Sequence, residues 1–233
     1  MAASCLLYYI TDRSAFPGEE RSRRSKLLDK IAEAANAGVD YIQLREKDLT
    51  VRELELLAHE AASILRSSRA EIAKKRKPRT ALLINSRTDL ALTVRAAGVH
   101  LPAHDIRGAE VQAIWKASCG AGAPSGEISP REPLISVACH SPEETAEAVR
   151  NAATLALFAP VFEKKDAPFT HAQGLTVLHQ ACRANIPVLA LGGITPENAS
   201  SCLQAGAAGI AAIRLFQEND VAEIVRTLRG LGC

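Results

Sequence analysis

Short apolar runs alternate with longer stretches of helical period along the whole chain. The runs are Leu6 to Thr11, Tyr41 to Leu44, Ala81 to Ile84, Val99 to Leu101, Leu134 to Cys139, Leu155 to Ala159, Val188 to Leu191 and Gly209 to Ile213. They are short and largely apolar on both faces, as strands covered on both sides must be. The helical stretches are Arg24 to Ala37, Val51 to Ser67, Asp89 to Ala97, Ala109 to Ala117, Pro142 to Ala152, Leu175 to Asn185, Pro196 to Ala205 and Val221 to Leu228. Ser141 and Thr195 each precede a proline, a hydroxyl cap before the first helical position. Gly38, Gly98 and Gly206 stand where a helix ends in a left-handed residue.

Strands and helices paired eight times over predict a single (β/α)8 TIM barrel over residues 1–233. A doubly wound open sheet is the runner-up. It would show fewer repeats and a glycine-rich turn after its first strand, whereas here that strand runs into Thr11-Asp12-Arg13-Ser14. Two segments interrupt the repeat. Residues 66–79 hold Arg66, Arg69, Lys74, Lys75, Arg76, Lys77 and Arg79 and lead from a helix to a strand, on the face away from a barrel's active site. With no aromatics interleaved to stack bases, they predict a solvated surface insertion and no nucleic-acid partner. Residues near 118–133, rich in Gly, Ala, Ser and Pro, predict a flexible insertion.

Composition narrows the picture. With 47% hydrophobic residues and a net charge of +2, the 233-residue chain can bury enough surface to fold, which excludes a disordered protein. The six cysteines include no C-x-x-C pair, so they read as reduced thiols of a cytoplasmic protein. No signal peptide is expected at the start, and no window approaches the ~20 apolar residues of a membrane span. A homodimer is left open, since no exposed apolar stripe marks an interface.

In a barrel the chemistry collects at the C-terminal ends of the strands. After the second run, alternation puts Gln43, Arg45 and Lys47 on one face and Leu44 and Glu46 on the other. Such a cluster suits an anionic substrate with a carboxylate nearby, or a surface ion-pair group. Asn85 and Ser86 suit a ligand contact or a helix cap, and Asp105 a metal or a cap. His140 suits proton transfer or a structural role. The polar loop holding Lys165 is placed to cover a ligand. Gly192 and Gly193 with Ile213 and Arg214 fit the phosphate site formed after strands seven and eight.

Tyr9-Ile10-Thr11-Asp12-Arg13, Gln43-Leu44-Arg45-Glu46-Lys47, Asn85-Ser86-Arg87, Gly98-Val99-His100-Leu101, Gly192-Gly193-Ile194 and Gly206-Ala207-Ala208-Gly209-Ile210-Ala211 together resemble the thiamine phosphate synthase family, which includes the TenI-type thiazole tautomerases. The resemblance implies an enzyme of thiamine biosynthesis acting on a thiazole phosphate. The synthases join that thiazole phosphate to hydroxymethylpyrimidine diphosphate with Mg2+. Against their pattern this chain has Ser86 in place of an aspartate, Ala138 in place of a serine and Glu163-Lys164-Lys165 in place of a diphosphate-gripping loop, while Asp105 is retained. Arg214 replaces a serine, so its phosphate contact is an inference from position. At Leu101-Pro102, His140-Ser141 and Val161-Phe162-Glu163 the chain is closer to the tautomerases. The first expectation is therefore a tautomerase needing no metal, with His140 as base and Glu46 as its partner. Gln43, Arg45 and Lys47 would take the carboxylate, with Asn85 and Lys165 as further contacts, and Gly192, Gly193, Ile213 and Arg214 the phosphate. The alternatives are a synthase with Mg2+ on Asp105, and a non-catalytic barrel that binds thiazole phosphate.

Overall fold

Strands with two apolar faces need two cores, and the fold supplies both. In the computed structural model, which describes residues 5–74, 80–103, 105–120, 132–163 and 171–231, eight parallel strands close in sequence order into a barrel. They are β1 (Leu6–Ile10), β2 (Tyr41–Leu44), β3 (Ala81–Asn85), β4 (Gly98–Leu101), β5 (Leu134–Cys139), β6 (Leu155–Phe158), β7 (Val188–Leu191) and β8 (Gly209–Ala212). Inside the barrel, Tyr8, Ile10, Leu83, Leu155, Leu157, Leu189 and Ala211 form one apolar cluster. Their neighbours in sequence, such as Leu7, Tyr9, Ile42, Leu44 and Ile84, point outward into the second core beneath the helices, as the two-residue period of a strand requires.

The helices are α1 (Glu20–Ala37), α2 (Val51–Lys74), α3 (Thr88–Thr93), α4 (Gly108–Gly120), α5 (Pro142–Arg150), α6 (Gly174–Ala181), α7 (Pro196–Gln204), α8 (Arg214–Gln217) and α9 (Val221–Gly230). Ser141 caps α5 by accepting the Glu144 N–H at 3.2 Å. Gly38 ends α1 at φ 95°, with its N–H turned back to the carbonyls of Ala34 and Ala35. The eight predicted strands are all present. The basic segment differs from its prediction, because α2 continues through Arg66 and Arg69 to Lys74, residue types that propagate a helix well. Residues 75–79 and the centre of the predicted insertion, 121–131, lie outside the described residues. A 3-10 turn at Arg13–Ala15 and the short α8 were not predicted. No helix among the described residues is long and apolar enough to cross a membrane.

Candidate active site

At the C-terminal mouth of the barrel lies a cavity of about 280 Å³. One wall is backbone. After β7 the chain turns at Gly192 (φ 96°) and Gly193 (φ 67°), and a Cβ on Gly193 would sit 2.6 Å from the Glu163 carbonyl oxygen and 2.7 Å from Phe162 Cβ. Only glycine lets the turn lie so close to the chain leaving β6. Asn198 holds the turn by donating from Nδ2 to the Gly193 carbonyl at 2.9 Å. After β8, Ile213 is the N-cap of the single turn of α8. Gly192, Gly193, Ile213, Arg214 and Leu215 all line the cavity, so the chain leaving β7 and the chain leaving β8 border it together.

The opposite wall is polar. Tyr8 donates its hydroxyl to Gln43 Oε1 at 3.2 Å, Gln43 Nε2 donates to Asn85 Oδ1 at 2.9 Å, and Asn85 Nδ2 donates to Ser86 Oγ at 3.1 Å. This chain of bonds fixes both amides. Ser86 has φ 60°, a left-handed conformation that aspartate and asparagine also tolerate. Gln43, Arg45 and His100 face the cavity. His100, absent from the predicted site, is buried with Nδ1 3.0 Å from Ser136 Oγ. Burial first, then the charges of Arg45 and Lys47, push its pKa down to about 3, so the ring is neutral.

Glu46, expected as the partner of a base, is not among the residues that line the cavity. It is on the outward face with Leu44, 5% exposed, and lines neither this cavity nor the one described below. Its carboxylate accepts from Thr11 Oγ1 at 2.5 Å and from the Arg13 N–H at 2.9 Å, and pairs with Arg13 Nη1 at 3.4 Å. Burial raises its pKa, while the Thr11 and Arg13 bonds oppose the rise. Thr11 in turn accepts the Arg45 N–H at 3.0 Å. Glu46 thus braces the start of the β1–α1 loop and, through Thr11, the backbone of Arg45.

His140 follows the C-terminal end of β5 and is not among the residues lining this cavity. It is exposed, its N–H donates to Glu144 Oε2 at 2.7 Å, and its Nδ1 is 2.6 Å from the Ala159 carbonyl oxygen. A carbonyl only accepts, so Nδ1 carries the proton of the neutral ring and Nε2 is the free base. The ring lines a second cavity of about 450 Å³ together with Asp105, Arg107 and Glu147. The two cavities have no lining residue in common. The structure therefore gathers Gln43, Arg45, Gly192, Gly193, Ile213 and Arg214 on the first, with Asn85 behind Gln43, and places His140 and Asp105 together on the second. Lys47 is exposed and lines neither cavity. Lys165 lies outside the described residues.

Fold and site define a (β/α)8 barrel whose mouth joins the glycine turn after β7 and the start of α8 to a polar wall on β2 and β3. The model of the thiamine monophosphate synthase family (TMP-TENI) matches residues 7–216, and the chain belongs to that family. Over 213 residues it is 34% identical to a putative thiamine-phosphate synthase 2 of Aquifex aeolicus, covering 91% of this chain and 97% of the relative. It is 32% identical over 210 residues to a thiamine-phosphate synthase of Roseiflexus castenholzii, covering 89% and 79%. The solved thiamine phosphate pyrophosphorylase of Pyrococcus furiosus superposes with a TM-score of 0.73 at 27% identity, covering 98% of this chain and 96% of its own.

Proposed function

We propose that this protein is a thiamine-phosphate synthase, joining a thiazole phosphate to hydroxymethylpyrimidine diphosphate at the barrel mouth. The supporting observation is a mouth that sets the main chain of Gly192, Gly193 and Ile213 beside Gln43 and Arg45, with no carboxylate among the described residues that line it. The joining reaction needs no proton transfer. The thiazole nitrogen lone pair forms a bond to the pyrimidine methylene carbon, the C–O bond to diphosphate breaks, and no proton changes place. The names of the relatives point the same way. Gly192, Gly193 and the start of α8 hold the thiazole phosphate, and Arg45 attracts the leaving diphosphate.

Magnesium, which the family implies, would meet its carboxylate at Asp105 after β4, which lines the second cavity and not the mouth, with Oδ1 accepting the Ile106 N–H at 2.8 Å. Ser86 offers a hydroxyl at the end of β3, so the diphosphate on Arg45 would have to extend toward Asp105 for the ion to reach both. One carboxylate with substrate phosphates and water is an ordinary magnesium set, and the ion would supply charge for the departing diphosphate. Among the described residues no group of three or more His, Cys, Asp or Glu side chains could hold a metal without substrate.

The tautomerase is kept as a second reading, because His140 presents Nε2 as a base and Ser86 replaces a carboxylate. It needs a proton donor opposite His140, and Glu46 is committed to Thr11 and Arg13.

Thiamine phosphate formed from the two purified substrates with magnesium, and abolished by chelator, tests the proposal; no product under those conditions sinks it. In that assay Arg45→Ala raises KM for the pyrimidine diphosphate by about 10- to 100-fold, the loss of one charge-assisted bond, and leaves KM for the thiazole phosphate unchanged. Ser86→Asp lowers the magnesium needed for half-maximal rate several-fold. Its φ of 60° costs aspartate little, so the melting temperature stays within a few degrees.

A further inference from the structure

The β1–α1 loop is held from two sides. Glu46, after β2, takes Arg13, and Gln217, a buried side chain of α8, takes Asp12. Gln217 Nε2 donates to the Asp12 carbonyl at 2.6 Å, and its Oε1 accepts the Asp12 N–H at 3.3 Å and the Tyr9 hydroxyl at 3.0 Å. The amide thus bridges the N–H and the carbonyl of one residue, as a neighbouring strand would. A carboxylate, which only accepts, could not do this. Burial raises the pKa of the Tyr9 hydroxyl, so that group stays a donor. The short helix needs such a tie. At four residues α8 is far below the length at which a helix holds its own shape, yet Ile213, Arg214 and Leu215 at its start border the mouth cavity. Phe216 lies against the Tyr9 ring with centroids 5.9 Å apart, but apolar contact has no direction. The bonds to Asp12 do, and they set how α8 stands against the end of β1.

We propose that Gln217 is a positioning residue for the thiazole phosphate: by tying α8 to Asp12 it sets where Ile213, Arg214 and Leu215 stand at the mouth. Gln217 itself does not line the cavity, so it acts only through them. This rests on the proposed function, which places the thiazole phosphate against Gly192, Gly193 and the start of α8. The two holds on the β1–α1 loop then serve different substrates. Glu46 acts through Thr11 on Arg45 and the diphosphate, and Gln217 acts through α8 on the thiazole phosphate. Linkage is reciprocal, so a ligand that needs α8 docked also strengthens the docking.

Calorimetry and steady-state kinetics on the full-length protein test this. Gln217→Met keeps the length of the side chain and removes both polar atoms. It weakens thiazole phosphate binding and raises its KM about tenfold, the order of one misplaced hydrogen bond, while kcat and KM for the pyrimidine diphosphate are unchanged. Tyr9→Phe removes one of the bonds to Gln217 and gives a smaller rise of the same kind. In the unmutated protein, thiazole phosphate slows hydrogen exchange at the Asp12 N–H, held by Gln217, more than at the Arg13 N–H, held by Glu46. This readout does not depend on any variant folding. Three results overturn the proposal alone: a folded Gln217→Met that binds thiazole phosphate normally, a loss that falls on kcat and both KM values alike, or equal slowing at Asp12 and Arg13 with the ligand bound. An unmutated protein that binds no thiazole phosphate overturns the functional proposal, and this one with it.

Discussion

Glu46→Leu lowers the folding free energy by about 3 kcal/mol, the usual cost of removing one partner from a buried ion pair. The side chain is nearly isosteric, so little packing is lost. What is lost is the acceptor for three donors: the Thr11 hydroxyl, the Arg13 N–H and the Arg13 guanidinium. Arg13 is itself buried, and its bonds to Asp48 and Glu20 moderate the loss without satisfying its backbone. At this size the change moves Tm down by roughly 6–12 °C. Glu46→Gln keeps an acceptor oxygen and costs less than half as much. Denaturant melts of the two variants check this. A catalytic acid would give the reverse pattern, with both variants stable and both inactive. With Arg45 braced through Thr11, Glu46→Leu also raises KM for the diphosphate substrate.

Gly193→Ala is expected to be comparably damaging, for a different reason. A left-handed alanine costs about 1–2 kcal/mol wherever it stands, and at Gly193 the added methyl also meets the backbone and side chain of residues 162 and 163 at 2.6 to 2.9 Å. Either the turn or the β6–α6 connection must move, for a total of about 3 kcal/mol or more. Gly38→Ala is the control. Its φ is 95° with nothing within 4 Å of the new methyl, so it shows the backbone cost alone. Gly193→Ala also lowers affinity for inorganic phosphate, because the N–H groups of the glycine turn are displaced. Equal destabilisation in the two variants, with phosphate binding intact, would show that the close approach has no such consequence.

Much of this architecture was legible because the strands of a closed parallel barrel are buried on both faces, so runs such as Leu134 to Cys139 stand out from their polar borders. The glycine turn after β7 was legible by its place in the repeat. Other features were hidden for physical reasons. Ile213 to Phe216 is one nearly continuous apolar run, and nothing in its period separates the end of β8 from the single turn of α8. Arg66 to Lys74 looked like an insertion because charge was weighed over the helix-forming tendency of Arg and Lys. The alternation of β2 sets Glu46 with Leu44, but nothing in the sequence shows that its carboxylate accepts from Thr11 and Arg13, residues more than thirty positions away. His100 was passed over inside a short apolar strand, where burial across three strands, invisible in one sequence, gives it a view of the cavity.

One comparison tests the central claim most directly: the same purified protein is assayed for magnesium-dependent thiamine phosphate formation and, separately, for aromatisation of the thiazole carboxylate phosphate followed by its ultraviolet change. A synthase gives turnover in the first assay, lost with chelator and unaffected by His140→Ala, whose ring lies outside the barrel-mouth cavity. Turnover confined to the second assay and abolished by His140→Ala would contradict it, and would move the chemistry to the rim beside Ala159 and Glu144.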